Sequence, residues 1–464
     1  MTRLQDNESF ANTMINLCRN ILSKPSTNIL LKNNAIVSSS SSSSSLLYIS
    51  RSCTTTASAS TASNTDRIRQ TVWMFGSCAD GKLGVKTESH RSIPTKVTHL
   101  PPFLSVKEGG TTWMSSFLHT NDSKIFMWGT NNHGQMGLPG NQVYRYPTES
   151  EMFKGLDIER VALGRSFLLI LTKQGKVLSI GSNEFGQLGI SSQEQRGSQT
   201  LQVVQNLKDV VSMHAGFDHS FAVTKSGHAF GWGYNVEGQL GQKIVEYERV
   251  EATGEEKQQD MHDLHKTMHP DAEYNTPTLV PGMEAIKVAK VFCGYDCTFL
   301  LSARGNVYAM GNNETGTLGL GEDAIGRIAK ATKVQLPEKI KSISCGATHS
   351  MFLSESNKVY VCGWGAEGRL GLGNNTINRY VPTLIPFFAE NRIKVDQVSC
   401  GGAHSLLLTT DGRVYSWGCG EDGKLGHGDE ELSNDPKLIQ FFENKKPIFI
   451  SAGVDTSMVI TTEN

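Results

Sequence analysis

Three histidines occupy one recurring phrase: Gly216-Phe-Asp218-His219, Gly346-Ala-Thr-His349 and Gly401-Gly-Ala-His404. A histidine can serve as a general base, a metal ligand or a neutral hydrogen-bonding post. Other copies of the phrase put Phe167, Cys297 and Thr456 in its place. Recurrence with such replacements points to a structural bond to a neighbouring strand before it points to catalysis. A second group, His262, His265 and His269, is spaced for one helical face, but no cysteine joins it and the spacing is not a zinc motif. Cys293, Cys345 and Cys400 share a repeat position that Leu163, Ala215 and Ala452 fill elsewhere. Such a position wants a small apolar side chain, so these thiols are expected in a core, reduced and intracellular. The nine cysteines are too scattered for a zinc ribbon. With no nucleophile elbow, P-loop or paired metal motif, the chain is expected to carry no catalytic residue, metal or cofactor.

The elements that hold these residues are set by a second phrase. A β-type apolar pair is followed by Gly, four residues, Gly, one residue, Leu or Met, and Gly, with copies starting at Gly76, Gly129, Gly181, Gly233, Gly311, Gly363 and Gly418. The usual step is about 52 residues, the period of a repeat architecture. Short β-branched and aromatic runs such as Val359-Tyr360-Val361 precede the glycines and read as strands. Asp411-Gly412 and Ser226-Gly227 suit hairpin turns, and Asn357 stands at the same place in its copy. Each unit therefore reads as several antiparallel strands, and seven units favour an all-β, seven-bladed propeller. The last unit, around residues 448–462, lacks its own Gly-x4-Gly strand, and the first such strand, Thr71 to Gly76, has no preceding half-unit. Joining them completes one blade and removes two open sheet edges.

These phrases resemble the regulator of chromosome condensation repeat family across residues 71–462, and most nearly its mitochondrial branch, through the Ser-rich leader and Gly294-Tyr-Asp296-Cys297-Thr298. The resemblance implies a protein-binding disc. In the nuclear founding member one face promotes nucleotide exchange on the GTPase Ran, and the other side holds chromatin. Asp218 and His349 match exchange positions of that face and are the expected GTPase-binding residues. Arg165 and Ala79 stand where that face carries acids, and the basic chromatin tail is replaced by a Ser/Thr-rich segment. The resemblance thus implies an exchange factor without covalent chemistry, or an assembly scaffold, whose partner is a small GTPase or a mitochondrial ribosomal RNA–protein complex. The alternative is a nuclear Ran-type exchange factor bound to chromatin.

Composition bounds these readings. The net charge of −1 gives no global attraction to nucleic acid, so direct DNA binding is not expected, although a local basic patch is compatible with it. No run has the length of a membrane-spanning helix. Residues 1–66 lack the repeat, are Ser/Thr-rich and carry more basic than acidic side chains. That composition reads as a disordered mitochondrial transit peptide, with a plain low-complexity tail as the alternative. Residues 67–464 form the propeller, expected as a monomer. One step lengthens to 78 residues, placing an acidic insertion at 242–270, either a solvated loop or a partner-binding protrusion.

Overall fold

The computed structural model describes residues 69–87, 89–191, 196–244 and 273–463. The leader and most of the insertion, with His262, His265 and His269, lie outside them. Gln242, the first residue of the expected insertion, is buried, and its side-chain amide donates to the Leu279 carbonyl (2.8 Å), tying it into its own blade.

Seven four-stranded antiparallel sheets account for the strands. Blades 1 to 6 are continuous in sequence (106–149, 158–203, 210–279, 288–333, 340–384 and 395–438). Blade 7 is composite: strands Lys446–Ala452 and Thr456–Thr462 are joined by Gln70–Gly76 and Arg91–Lys96. The seal is in full register, with Gln70 opposite Thr462, Trp73 opposite Val459 and Gly76 opposite Thr456. Strands from the two ends of the repeat array therefore lock one sheet, as the half-units in the sequence required.

The core lies between blades. Seven apolar clusters fill the seven interfaces. One of them packs Phe117 and Met127 of blade 1 on Leu168 and Ile170 of blade 2. Another closes the circle, packing Val72, Met74 and Met458 of blade 7 on Leu118 and Trp128 of blade 1. The first strand of each blade lines the axis, and side chains of the preceding blade satisfy amides on that otherwise open edge. The Cys400 amide donates to Ser344 Oγ (2.9 Å), Ala452 to Ser399 Oγ (2.8 Å) and Thr111 to Ser451 Oγ (3.4 Å).

Glycine is obligatory where the third strand ends. Gly363 has φ +117°, and a Cβ there would lie 2.3 Å from the Thr348 carbonyl oxygen. The other six first glycines of the motif also have φ above +100°. The turn residue Asn357 adopts φ +64°, the left-handed region its side chain tolerates.

This strand order sorts the connections onto two faces. The links from first to second strand and from third to fourth emerge together, on what is here termed the loop face. The tight second-to-third turns and the blade-to-blade links form the turn face. The only α-helix among the described residues is Pro386–Glu390, in one of those blade-to-blade links.

Phe75 is fully buried in the composite blade against Phe442 and Ile439. Phe75→Ala is expected to cost about 3–5 kcal/mol in a urea unfolding measurement. A cost below about 1 kcal/mol would mean that the N-terminal strand does not seal the ring.

Candidate functional site at the axial mouth of the loop face

The histidine phrase and the glycine phrase turn out to be two halves of one inter-blade latch. His349 Nε2 lies 2.9 Å from Ser405 Oγ of the next blade, and that Oγ donates to the Arg369 carbonyl (2.9 Å). His404 and Ser457 repeat the pattern, with Ser457 donating to the Lys424 carbonyl (2.7 Å). His219 reaches Thr298 Oγ1 at 3.0 Å. A serine hydroxyl has one hydrogen, and the carbonyl takes it, so the histidine Nε2–H is the donor. The opposite Nδ1 atoms have no partner. Tryptophans extend the latch. Trp417 Nε1 donates to the same Arg369 carbonyl (3.0 Å), Trp232 to that of Gln187 (2.9 Å) and Trp128 to that of Lys82 (2.7 Å).

Burial explains the protonation state. Desolvation lowers His219 and His349 from 6.5 to about 3, and drives His404 well below the ordinary value. All three are neutral posts. The expectation that His349 touches a GTPase meets its complete burial; a partner could reach it only by parting blades 5 and 6. The thiols follow the core reading. Cys293 and Cys400 are buried, Cys345 is half-buried, burial raises all three, and the seven described cysteines are free.

Asp218 lies differently. It sits in the first loop of blade 3, two residues past the glycine, and faces the axis. The same loop position holds Asp296 in blade 4 and Asp455 in blade 7; the position before it holds Trp113, Arg165, Phe217 and Tyr295 in blades 1 to 4. Arg165 grips the Asp218 carboxylate with two nitrogens, at 2.8 and 3.2 Å, and its guanidinium lies 4.6 Å above the Phe217 ring. Phe217 stacks on Tyr295 (4.6 Å) and meets Trp113 edge-on (5.3 Å). Side chains from opposite sides of the ring therefore touch across the axis and plug the channel. In blades 5 to 7 the plug position shrinks to Ala347, Gly402 and Val454, leaving the mouth lopsided.

Beside the plug, charge is crowded. Burial, then the nearby Glu237 and Asp218, push the Asp296 carboxyl up to about 7, with Arg165 pulling the other way. Burial, then Asp296, Asp218 and Glu237, raise Tyr234. Asn312 donates to Glu237 (3.0 Å) from the next blade. Lys82 meets Asp455 at 2.6 Å and also donates to the Trp113 carbonyl. Among the described residues, the loops of this face carry fifteen carboxylates against seven cations. Lys82, Arg369 and Lys424 are buried and Arg165 is paired, so only three cations are left fully exposed. No group of side chains among the described residues is arranged to hold a metal ion. The sequence marked Asp218 and, through its phrase, Asp296. It did not reveal Glu237 and Tyr234, whose loop approaches Asp296 only once blades 3 and 4 are side by side.

Comparison with known proteins fits this geometry. The model described as "Regulator of chromosome condensation (RCC1) repeat" matches residues 122–171 and 174–223, and the "RCC1-like domain" model matches 244–459. The chain belongs to the regulator of chromosome condensation repeat family. As a member, it is 29% identical to the ultraviolet-B receptor UVR8 of Arabidopsis thaliana over 80% of this chain and 77% of that protein. It is 28% identical to the secretion-regulating guanine nucleotide exchange factor of Bos taurus, over 74% of this chain and 72% of that one. Several other curated relatives are much longer, and the chain spans only 6–35% of them. Among solved structures, Prp20p of Saccharomyces cerevisiae, whose structure was reported with its binding to Gsp1p and histones, superposes with a TM-score of 0.71 at 21% identity. That match covers 85% of this chain and 91% of that one, a likeness of fold.

Because the three latch histidines stay neutral when folded and titrate near 6.5 when unfolded, the unfolded state takes up protons that the folded state does not. Stability is therefore full above pH 6.5 and falls as pH drops toward about 3, by roughly 1.4 kcal/mol per pH unit for each histidine. Asp296 acts in the opposite sense over the same window, while His214 and His427, both lowered to about 4 by burial, reinforce the latch histidines. The urea midpoint is expected to drop steeply between pH 6 and 4, and His404→Phe, which mimics Phe167, should flatten that slope. A midpoint independent of pH would refute neutral burial. Ser405→Ala strips His349 of its acceptor and is expected to cost about 1–3 kcal/mol.

Proposed function

We propose that the protein is a docking propeller whose loop face receives a basic surface of a small GTPase and weakens its hold on nucleotide. The observation that carries this reading is the carboxylate excess around the plugged mouth, with Asp218, Asp296 and Glu237 crowded together. An arriving lysine or arginine would relieve their mutual repulsion. Exchange needs no covalent step, since a propeller that binds the nucleotide-free GTPase more tightly lowers nucleotide affinity by linkage. A carboxylate competing for the basic phosphate-binding loop supplies that preference. The bovine relative's name and Prp20p's binding to Gsp1p support a GTPase as the partner class. UVR8, named a receptor, marks how far family members diverge on one fold.

Arg165 sets the terms of docking. It already occupies Asp218, so a partner must displace it or engage the Arg165–Asp218 pair as a unit. The Ser-rich, basic leader supports a mitochondrial location, and a mitochondrial GTPase or a ribosome-assembly complex is then the client.

The exchange reading is tested by release of fluorescent GDP from a panel of purified small GTPases. At least one GTPase is expected to release faster with the propeller, with Asp218→Ala slowing that release tenfold or more while the melting temperature stays within a few degrees. No acceleration for any GTPase, or unchanged release with Asp218→Ala, would reject it. Location is tested by imaging a C-terminal fluorescent fusion, which is expected to overlap mitochondria; an exclusively nuclear signal would overturn that part.

A further inference from the structure

The near-zero net charge conceals two opposed halves. On the turn face, the tight turns of blades 2, 3 and 4 and the links that lead out of them carry Lys173, Lys176, Lys208, Lys225, Lys287, Arg304 and Lys339, all exposed. Their carboxylates are Asp209, Glu284 and Glu338. Glu338 is already engaged, bonded to Tyr360 (2.7 Å), Ser356 and Lys358. None of the seven cations forms a side-chain ion pair among the described residues. The rest of the same face is balanced, seven acids against seven bases, and three of its cations are paired internally: Lys124 with Asp122, Lys154 with Glu151 and Arg413 with Asp411.

The cations form one continuous arc, because backbone bonds stitch turn to link to turn. The Val210 amide donates to Gly175 O (3.1 Å) and Lys225 to Asp209 O (2.8 Å). Val288 donates to Gly227 O (3.0 Å), Ala303 to Lys287 O (2.8 Å) and Ile340 to Gly305 O (3.1 Å). Midway along it, Lys208, Lys225, His228 and Phe230 line a shallow concavity together with one carboxylate, Asp209. Ser226 Oγ holds the His228 ring at 3.0 Å, and Phe230 is partly exposed.

We infer that this arc is a docking surface for a single-stranded polynucleotide. A file of unpaired lysines matches a line of phosphates, each lysine acting as a point charge. The exposed His228 ring and the partly exposed Phe230 ring share the concavity with Lys208 and Lys225 and give unpaired bases something to stack on, a feature that an acidic peptide or a lipid headgroup does not use. The occupant is single-stranded because a duplex keeps its base faces stacked on one another. The surface lies on the face opposite the acidic mouth, so the two can be filled at once. This inference is independent of the GTPase reading.

The test is fluorescence anisotropy of the full-length protein with an end-labelled RNA of twelve uridines at two salt concentrations. Lys208→Glu/Lys225→Glu is expected to weaken binding at least tenfold and to reduce the salt slope by about two. Phe230→Ala is expected to weaken the RNA about fivefold or more with its salt slope unchanged, and to leave inorganic polyphosphate binding as it was. Lys154→Glu, on the balanced part of the face, should change nothing. Thermal melts confirm that each variant is folded. Affinity indifferent to the double reversal, a duplex of equal length binding as well, or a polyglutamate peptide or phosphatidylserine vesicle binding as tightly would each overturn the assignment.

Discussion

A single serine hydroxyl, wedged between two blades, is the constraint on which the ring rests. Ser405 receives a proton bond from His349 and gives its own to the Arg369 carbonyl, so both signature phrases of blade 5 close on one atom of blade 6. The geometry works only if the glycine-bracketed loop can fold back tightly, and a Cβ at Gly363 would strike the Thr348 carbonyl. The apolar clusters supply most of the adhesion between sheets, but they are non-directional. Between blades 5 and 6 and between blades 6 and 7 the latch adds a directional bond to that packing.

That division of labour explains what could be read from the chain alone. The period, the glycine offsets and the orphaned half-units were enough for the blade count and for the seal at Gln70–Gly76, because each records a backbone demand. The structural role of the histidines was also legible, since Phe167 and Thr456 stand in for them. What the sequence could not give was the pairing of Arg165 with Asp218, or the meeting of Asp296 with Glu237. Those residues lie 53 and 59 positions apart, and they come together only because consecutive blades set their loop-face connections side by side. His349 shows the converse. A match in the linear pattern placed it on a partner-binding face, while its part in the latch buries it completely.

Charge follows the topology as well. Loops that leave the sheets on one face are long, irregular and acidic; turns on the other are short and, over three blades, basic. The blades are nearly equivalent as scaffolding, so each connection is free to vary without disturbing its neighbours. The lopsided plug, large in blades 1 to 4 and small in blades 5 to 7, is the same freedom exercised at the axis. A disc built this way presents two chemically opposed surfaces at the expense of very little backbone novelty.

The composite blade also sets a timetable. Its outer two strands are made before blades 1 to 6 and its inner two after them, so Gln70–Gly76, paired with Arg91–Lys96 on one side, keeps its other edge open until Thr456–Thr462 has been made. Blades 1 to 6 can form one after another as they appear, but the circle stays open until Thr456–Thr462 pairs with Gln70–Gly76. A product cut short before Thr456–Thr462, however many blades it has finished, leaves a raw sheet edge at Gln70–Gly76 of the kind that pairs with other chains.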